Sequence, residues 1–186
     1  MDWMFCKIGD LTQEAYHAIY RSLSPSRKAH IDRKRKEDDK KRSLLAAELV
    51  ARLLKKRGVS GSLETGPEGK PFLKGCDLFV SITHSEELVA CAVSRKPVGI
   101  DAEKIKPMRP ELMQYACLPE EWQYVCQGKQ ISRLVEQEDV LRRFFEVWTA
   151  KEAFYKKNGA GNMLQTNTLA LEKTHYASDG YLITIL

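Results

Sequence analysis

An α+β fold, in which the same order of elements occurs twice, follows from three features of this 186-residue chain. Apolar residues Leu44, Leu45, Ala47, Leu49, Val50, Leu53 and Leu54 cover a broad face of a core helix over 43–57. A second long helical pattern runs over 141–157. Around these helices the period drops to two, at 78–83, 88–93, 98–103, 168–172 and 181–186, as strands require. Helix followed by strand therefore occurs over about residues 12–103 and again over 110–186, although no repeated sequence accompanies it.

The elements have local causes. Thr12 reads as an N-cap, with Leu11 packing on Tyr16 as a hydrophobic staple. Ser24-Pro25 opens the next helix, where proline's missing N–H costs nothing. The core helix ends in Lys55, Lys56 and Arg57, which suit its negative end, and Gly58 stops it. A Gly- and Pro-rich connection containing Gly69-Lys70-Pro71 leads into the strands. Pro107 and Pro110 break the run, and short helices are expected over 110–115 and 119–126. Gly159-Ala160-Gly161 ends the second long helix, and Ser178-Asp179-Gly180 marks a turn between the last two strands.

With 43% hydrophobic residues the chain is globular, with enough material for one domain or two small ones. Residues 1–7 lack a basic start and a sustained apolar stretch, and no segment has the length of a membrane span, so a cytoplasmic protein with no membrane partner is expected. Five cysteines, an odd number without Cys-x-x-Cys spacing, read as reduced and mostly buried, against a disulfide framework or a zinc site. The net charge of +5 is concentrated in a basic run over 27–42. Such a run is ordinarily a solvated helix face; the alternative is attraction to an acidic partner, whether nucleotide, protein or nucleic acid.

Two segments carry the chemistry. In Val98-Gly99-Ile100-Asp101-Ala102-Glu103, strand alternation sends Asp101 and Glu103 to one face, roughly 6.5 to 7 Å apart, and Ile100 and Ala102 to the other. Gly99 falls on the carboxylate face and would leave it open to a ligand's close approach. Helical spacing puts Phe145, Trp148, Glu152 and Lys156 on one stripe, with Glu152 and Lys156 as a favourable i,i+4 pair. Lys151 fans toward the adjacent face. Taken separately, each segment reads as well as a solvated sheet face or a surface ion pair.

Together they match a family pattern. (V/I)-G-I-D-x-E, followed about forty to fifty residues later by W-(S/T)-x-K-E-A-x-x-K, resembles the 4′-phosphopantetheinyl transferases; Trp148, Thr149, Lys151, Glu152, Ala153 and Lys156 meet the second pattern in full. Ninety-seven residues precede Val98, which is similar to the larger, pseudodimeric Sfp type rather than the small type that trimerises. The resemblance covers about residues 23–164. Gly69-Lys70-Pro71 matches the family's G-K-P, and Ser81-Ile82-Thr83-His84-Ser85 matches N-(I/L)-S-H-S with Ser81 for Asn and Thr83 for Ser. The region after Leu164 is shorter than in typical Sfp-type chains.

The resemblance implies a pseudodimer of two related αβ lobes, residues 1–103 and 104–186, each a small antiparallel sheet packed with a long helix, with the active site in the cleft between them and a functional monomer. It implies transfer of the 4′-phosphopantetheine arm of coenzyme A to a serine of an apo acyl or peptidyl carrier protein, releasing 3′,5′-ADP. Asp101, Glu103 and Glu152 would hold Mg²⁺, for which Mn²⁺ is an acceptable substitute; oxygen-only ligands suit such ions. Coenzyme A would meet Arg27, His30, Arg42, Ser43, Lys70, Thr83, His84, Lys151 and Lys156. Lys156 would also assist the leaving group, and the base is open among Glu152, ranked first, a metal-bound water and Glu121. Leu112, Met113, Tyr115 and Ala116, beside Lys104, Lys106 and Arg109, would dock the carrier or simply cover the core. The alternatives are an inactive homologue that binds coenzyme A or a carrier, and a small basic nucleic-acid-binding protein. The last is disfavoured because no aromatics interleave the basic run.

Overall fold

The computed structural model describes residues 1–66, 69–131, 134–159 and 161–186. Packing divides the chain into two units, Met1–Val98 and Gly99–Leu186. The division falls after Val98 rather than Glu103, which gives the strand bearing Asp101 and Glu103 to the second unit. Each unit is α+β and follows one plan, a three-stranded antiparallel sheet packed on a long helix, of 20 residues in the first and 21 in the second.

The first unit comprises β1 (Asp2–Lys7), α1 (Gln13–Ser22), α2 (Pro25–Asp32), α3 (Glu37–Lys56), β2 (Ser62–Thr65), β3 (Pro71–Lys74), β4 (Phe79–Ser85) and β5 (Leu88–Ser94). Both expected caps form: Thr12 Oγ1 accepts from the Ala15 N–H and Ser24 Oγ from the Arg27 N–H, each at 3.2 Å. Its sheet runs β1-β5-β4, and the central β5 is buried on both faces beneath Leu49, Val50 and Leu53 of α3. The long helix begins at Glu37 rather than Ser43, because Glu37, Asp38 and Asp39 suit its positive end. The basic run 27–42 is accordingly split between α2 and α3 instead of lining one helix face. Strand β1 and the β2–β3 hairpin are absent from the sequence expectation. Asp2–Lys7 lacks a clean alternation, is half-buried throughout and pairs with the distant β5, while the hairpin strands have only four residues each, too few to show a period.

The second unit comprises β6 (Ile100–Lys104), α4 (Pro110–Ala116), α5 (Pro119–Cys126), α6 (Glu138–Asn158), β7 (Thr174–Ser178) and β8 (Tyr181–Ile185). Gly159 caps α6 with φ of 69°, as its position suggested, while Ala160 lies outside the described residues. The sheet order is β6-β8-β7, and the register sets Asp101 opposite Thr184 and Glu103 opposite Leu182. The strand expected over 168–172 is instead β7. Asp179 and Gly180 both have positive φ, 51° and 76°, forming a two-residue hairpin turn that pairs Ser178 with Tyr181 and so draws residues 174–178 into the sheet. Helix α6 packs Phe144, Phe145 and Val147 with Leu182, Val125 and Met113.

Gly99 has a packing role that corrects the expectation of an open ligand face. A Cβ built on it would sit 1.8 Å from the main-chain oxygen of Ala153, so the glycine lets the strand entrance lie directly against α6. Its N–H and carbonyl bond to Leu186, extending the β6–β8 ladder.

Candidate functional site

Two groups of chemistry-bearing side chains form, one in each unit. In the first unit a cavity of about 260 Å³ is lined by Arg27, His30, Lys34, Arg42, Ser43 and His84, together with Gly69 and Pro71. Arg27 is 6% exposed, and its Nη2 donates to the carbonyl and hydroxyl of Ser43 at 2.8 and 2.9 Å. Its Nε is buried and has no hydrogen-bond partner among the described residues. Arg42 is steadied by the Glu86 carbonyl at 2.7 Å and by Asp39 at 2.8 Å. Burial first, and then the positive charges of Arg27, Lys34 and Arg33, hold His30 below the usual histidine range. Concentrated cationic groups with a buried unsatisfied donor suit an anion carrying several oxygens.

Of the expected coenzyme-binding residues, Arg27, His30, Arg42, Ser43 and His84 come together here. Thr83 does not line the cavity: it is 4% exposed and alternates on β4 with Ile82 and His84, which do. Lys70 is exposed, and only its neighbours Gly69 and Pro71 line the cavity. Lys34 was not singled out, although it lies within the basic run; only the turn between α2 and α3 brings it to the cavity.

The depressed His30 makes a testable prediction. Its folded-state pKa is below the unfolded value, so the unfolded chain takes up the extra proton first, and stability is lost as pH falls from about 6.5 toward the lowered value. A bound anion reverses that preference. Sulfate, whose charge is the same at pH 6 and pH 8, should raise the melting temperature more at pH 6, and His30→Gln should remove most of the difference. Equal sulfate shifts at both pH values would count against an anion beside His30.

In the second unit β6 and α6 bring Asp101, Glu103, Glu152 and Lys156 into one neighbourhood. Asp101 is 4% exposed, and its Oδ1 accepts from Lys156 Nζ at 2.6 Å. Burial, then the negative charge of Asp101, raises the Glu152 pKa; Lys156 opposes this and Glu103 adds to it. Crowded carboxylates with one ammonium among them are electrostatically short of positive charge. Among the described residues no three of His, Cys, Asp and Glu are already gathered to hold a metal ion. The donor set nevertheless fits a hard cation in kind, being carboxylate oxygen with no imidazole or thiolate.

Lys151 and Glu121 are elsewhere, a correction to their expected roles at the phosphates and as base. Both have no solvent exposure, and Lys151 Nζ lies 2.8 Å from Glu121 Oε2. Glu121 also accepts the Leu118 N–H at 2.9 Å, as a third helical residue does in a capping box, so a local helix-start signal accounts for it. Burial pushes its pKa up, but the bonds from Lys151, Leu118 and Thr168 outweigh burial and hold it low.

Beside Glu103 opens an apolar groove of about 430 Å³ whose walls include Leu112, Tyr115, Phe144, Trp148, Met163 and Leu164, with Lys106 at its edge. The expected docking residues divide. Leu112 and Tyr115 are 56% and 76% exposed, whereas Met113 is fully buried and Ala116 nearly so. Lys104 is engaged, donating to the Asp179 carbonyl at 2.8 Å and lying over the Tyr181 ring. All five cysteines are free thiols, and burial pushes Cys6 up to about 11 and Cys117 up to about 12, which leaves both unreactive. No helix among the described residues is long and apolar enough to cross a membrane.

The model of the 4′-phosphopantetheinyl transferase superfamily matches residues 97–180, the stretch containing the carboxylates, Lys156 and the groove. The 4′-phosphopantetheinyl transferase gsp of Aneurinibacillus migulanus is 33% identical over 105 residues, 56% of this chain and 41% of that protein. The 4′-phosphopantetheinyl transferase Sfp of Bacillus subtilis strain 168 is 28% identical over 174 residues, 87% of this chain and 71% of that protein. The 4′-phosphopantetheinyl transferase pptA of Paxillus involutus is 31% identical over 150 residues, 70% of this chain and 57% of that protein. The matched part of the chain thus spans from about two fifths to about seven tenths of the length of these relatives. Over residues 97–180 the chain is therefore similar to the 4′-phosphopantetheinyl transferase superfamily.

Proposed function

We propose that the protein transfers the 4′-phosphopantetheine arm of coenzyme A to a serine hydroxyl of an apo acyl or peptidyl carrier protein, releasing 3′,5′-ADP. The observation that carries this is the grouping of Asp101, Glu152 and Lys156 in the second unit, within the family match. Asp101, Glu103 and Glu152 are the residues that would hold Mg²⁺, which when bound supplies positive charge to the pyrophosphate under attack.

The remaining work falls to side chains. Glu152, half-buried beside Asp101, accepts the serine proton as the oxygen attacks the β-phosphorus. The bond between that phosphorus and the bridging oxygen breaks, and its electron pair leaves on the 3′,5′-ADP phosphate. Lys156 is already held by Asp101 and offers an ammonium to the departing oxygen. In the first unit, Arg27, His30, Arg42 and His84 are suited to the nucleotide phosphates of coenzyme A. The groove beside Glu103, with exposed Leu112 and Tyr115 and basic Lys106, suits a carrier protein that presents an acidic helix beside its serine.

Incubation with coenzyme A, Mg²⁺ and a panel of apo carriers, followed by mass spectrometry of the intact carriers, tests this. One carrier should gain the mass of the arm. Coenzyme A binding without a mass gain on any carrier would instead support an inactive homologue.

A further inference from the structure

The mechanism above uses neither member of the buried ion pair in the second unit. Lys151 and Glu121 have no solvent exposure, and their charges meet at 2.8 Å. A buried pair of this kind adds little to stability, since the attraction roughly offsets the loss of two hydration shells. What it does provide is fixed direction. The other two protons of Lys151 Nζ go to the main-chain oxygens of Leu164 at 3.1 Å and Thr166 at 2.7 Å. Glu121 Oε1 accepts from the N–H and hydroxyl of Thr168 at 2.8 and 2.7 Å. Among the described residues, and apart from the Leu118 cap, the side-chain bonds the pair makes outside itself all go to residues 164–168.

The segment's other bonds are mostly to its own neighbours, Leu164 N–H to Asn162 Oδ1 at 3.1 Å and Lys173 Nζ to the Thr168 carbonyl at 2.7 Å, with Asn167 donating to Glu120 at 2.9 Å. It is no part of a strand, and its regular structure is one 3-10 turn, Met163–Gln165. Yet Met163 and Leu164 form a wall of the apolar groove, whose lining also includes Glu103, Tyr115 and Trp148.

We propose that the Lys151–Glu121 pair is a positioning clamp: it sets the Met163–Leu164 wall of the groove and thereby the groove's affinity for the carrier protein. The proposal rests on the transferase function and adds to it a device for carrier recognition. Lys151 and Glu121 act through the wall and touch no reacting atom. The neighbouring Glu152 follows Lys151 on α6, so an effect transmitted to the chemistry would appear in kcat, and an effect transmitted to the groove appears in the carrier KM.

The test is the double substitution Lys151→Met with Glu121→Gln, which removes both charges together and leaves no unpaired ion to unfold the unit. The carrier KM should rise about tenfold, on the scale of one or two lost hydrogen bonds, with kcat held within about twofold and the coenzyme A KM unchanged. Amide hydrogen exchange at 163–168 should quicken while that of α6 does not. An unchanged carrier KM, a loss confined to kcat, or unchanged exchange at 163–168 would each overturn the clamp. Absence of transfer by the parent chain would defeat the transferase function instead; the carrier's Kd by calorimetry then replaces KM, and the exchange measurement stands as it is.

Discussion

Asp101→Asn and Glu152→Gln should each slow transfer to an apo carrier by about 10²- to 10⁴-fold at saturating Mg²⁺, the range seen when a charge-stabilising group or a general base is removed. Each change keeps the side chain's shape and deletes a charge. Asp101→Asn also releases Lys156, whose ammonium it holds at 2.6 Å, and lets the Glu152 pKa fall back toward that of an ordinary carboxylate. Near-normal transfer by both variants would sink the site assignment. A thermal measurement checks the same site without turnover. Because the folded-state pKa of Glu152 is raised, its contribution favours the fold below about pH 4.5 and is lost as pH rises through the raised value. A divalent cation offsets that loss. Mg²⁺ or Mn²⁺ should therefore raise the melting temperature at pH 8 and leave it unchanged near pH 4, and Glu152→Gln should abolish most of the gain.

Gly99→Ala should cost about 3 kcal/mol or more, at the upper end of the range for overpacking, and lower the melting temperature by about 10 °C. The backbone at Gly99 is not left-handed, so the cost comes from space and not from conformation. A methyl there would lie 1.8 Å from the Ala153 oxygen and 2.7 Å from its carbonyl carbon, both in the main chain of α6 and unable to turn aside. Relief requires β6 and α6 to separate, which also parts Asp101 from Lys156. The variant should therefore lose stability and transfer together, and Mg²⁺ should restore little of either. A methyl tolerated without a melting shift would mean that the strand and helix are not held as closely as they are found.

The contrast between Glu152 and Lys151 marks the limit of what spacing reveals. Adjacent on one helix, both belong to the same motif, and periodicity separated them only by about a hundred degrees. Glu152 remains half-buried beside Asp101, while Lys151 is sealed against Glu121 and the carbonyls of Leu164 and Thr166. Thr83 and His84 repeat the lesson in a strand, where alternation sends one inward and the other to the cavity. Gly99 was legible as a place of close approach, but the approaching group is a helix backbone rather than a ligand.

Local pattern was enough for the two long helices, for β4, β5, β6 and β8 but not β7, for the helix starts at Thr12 and Ser24, and for the D-x-E strand and the W-T-x-K-E helix. These are local consequences of side-chain pattern and backbone preference, so a short window of residues carries them. Packing settled which face of α6 meets solvent, that β7 lies at 174–178, that Arg27 and Lys34 share a cavity with His84, and that Lys151 faces inward. Each of those depends on a partner supplied from elsewhere in its unit, across separations that no local period encodes, and burial then turns an ordinary charge into either a site or a clamp.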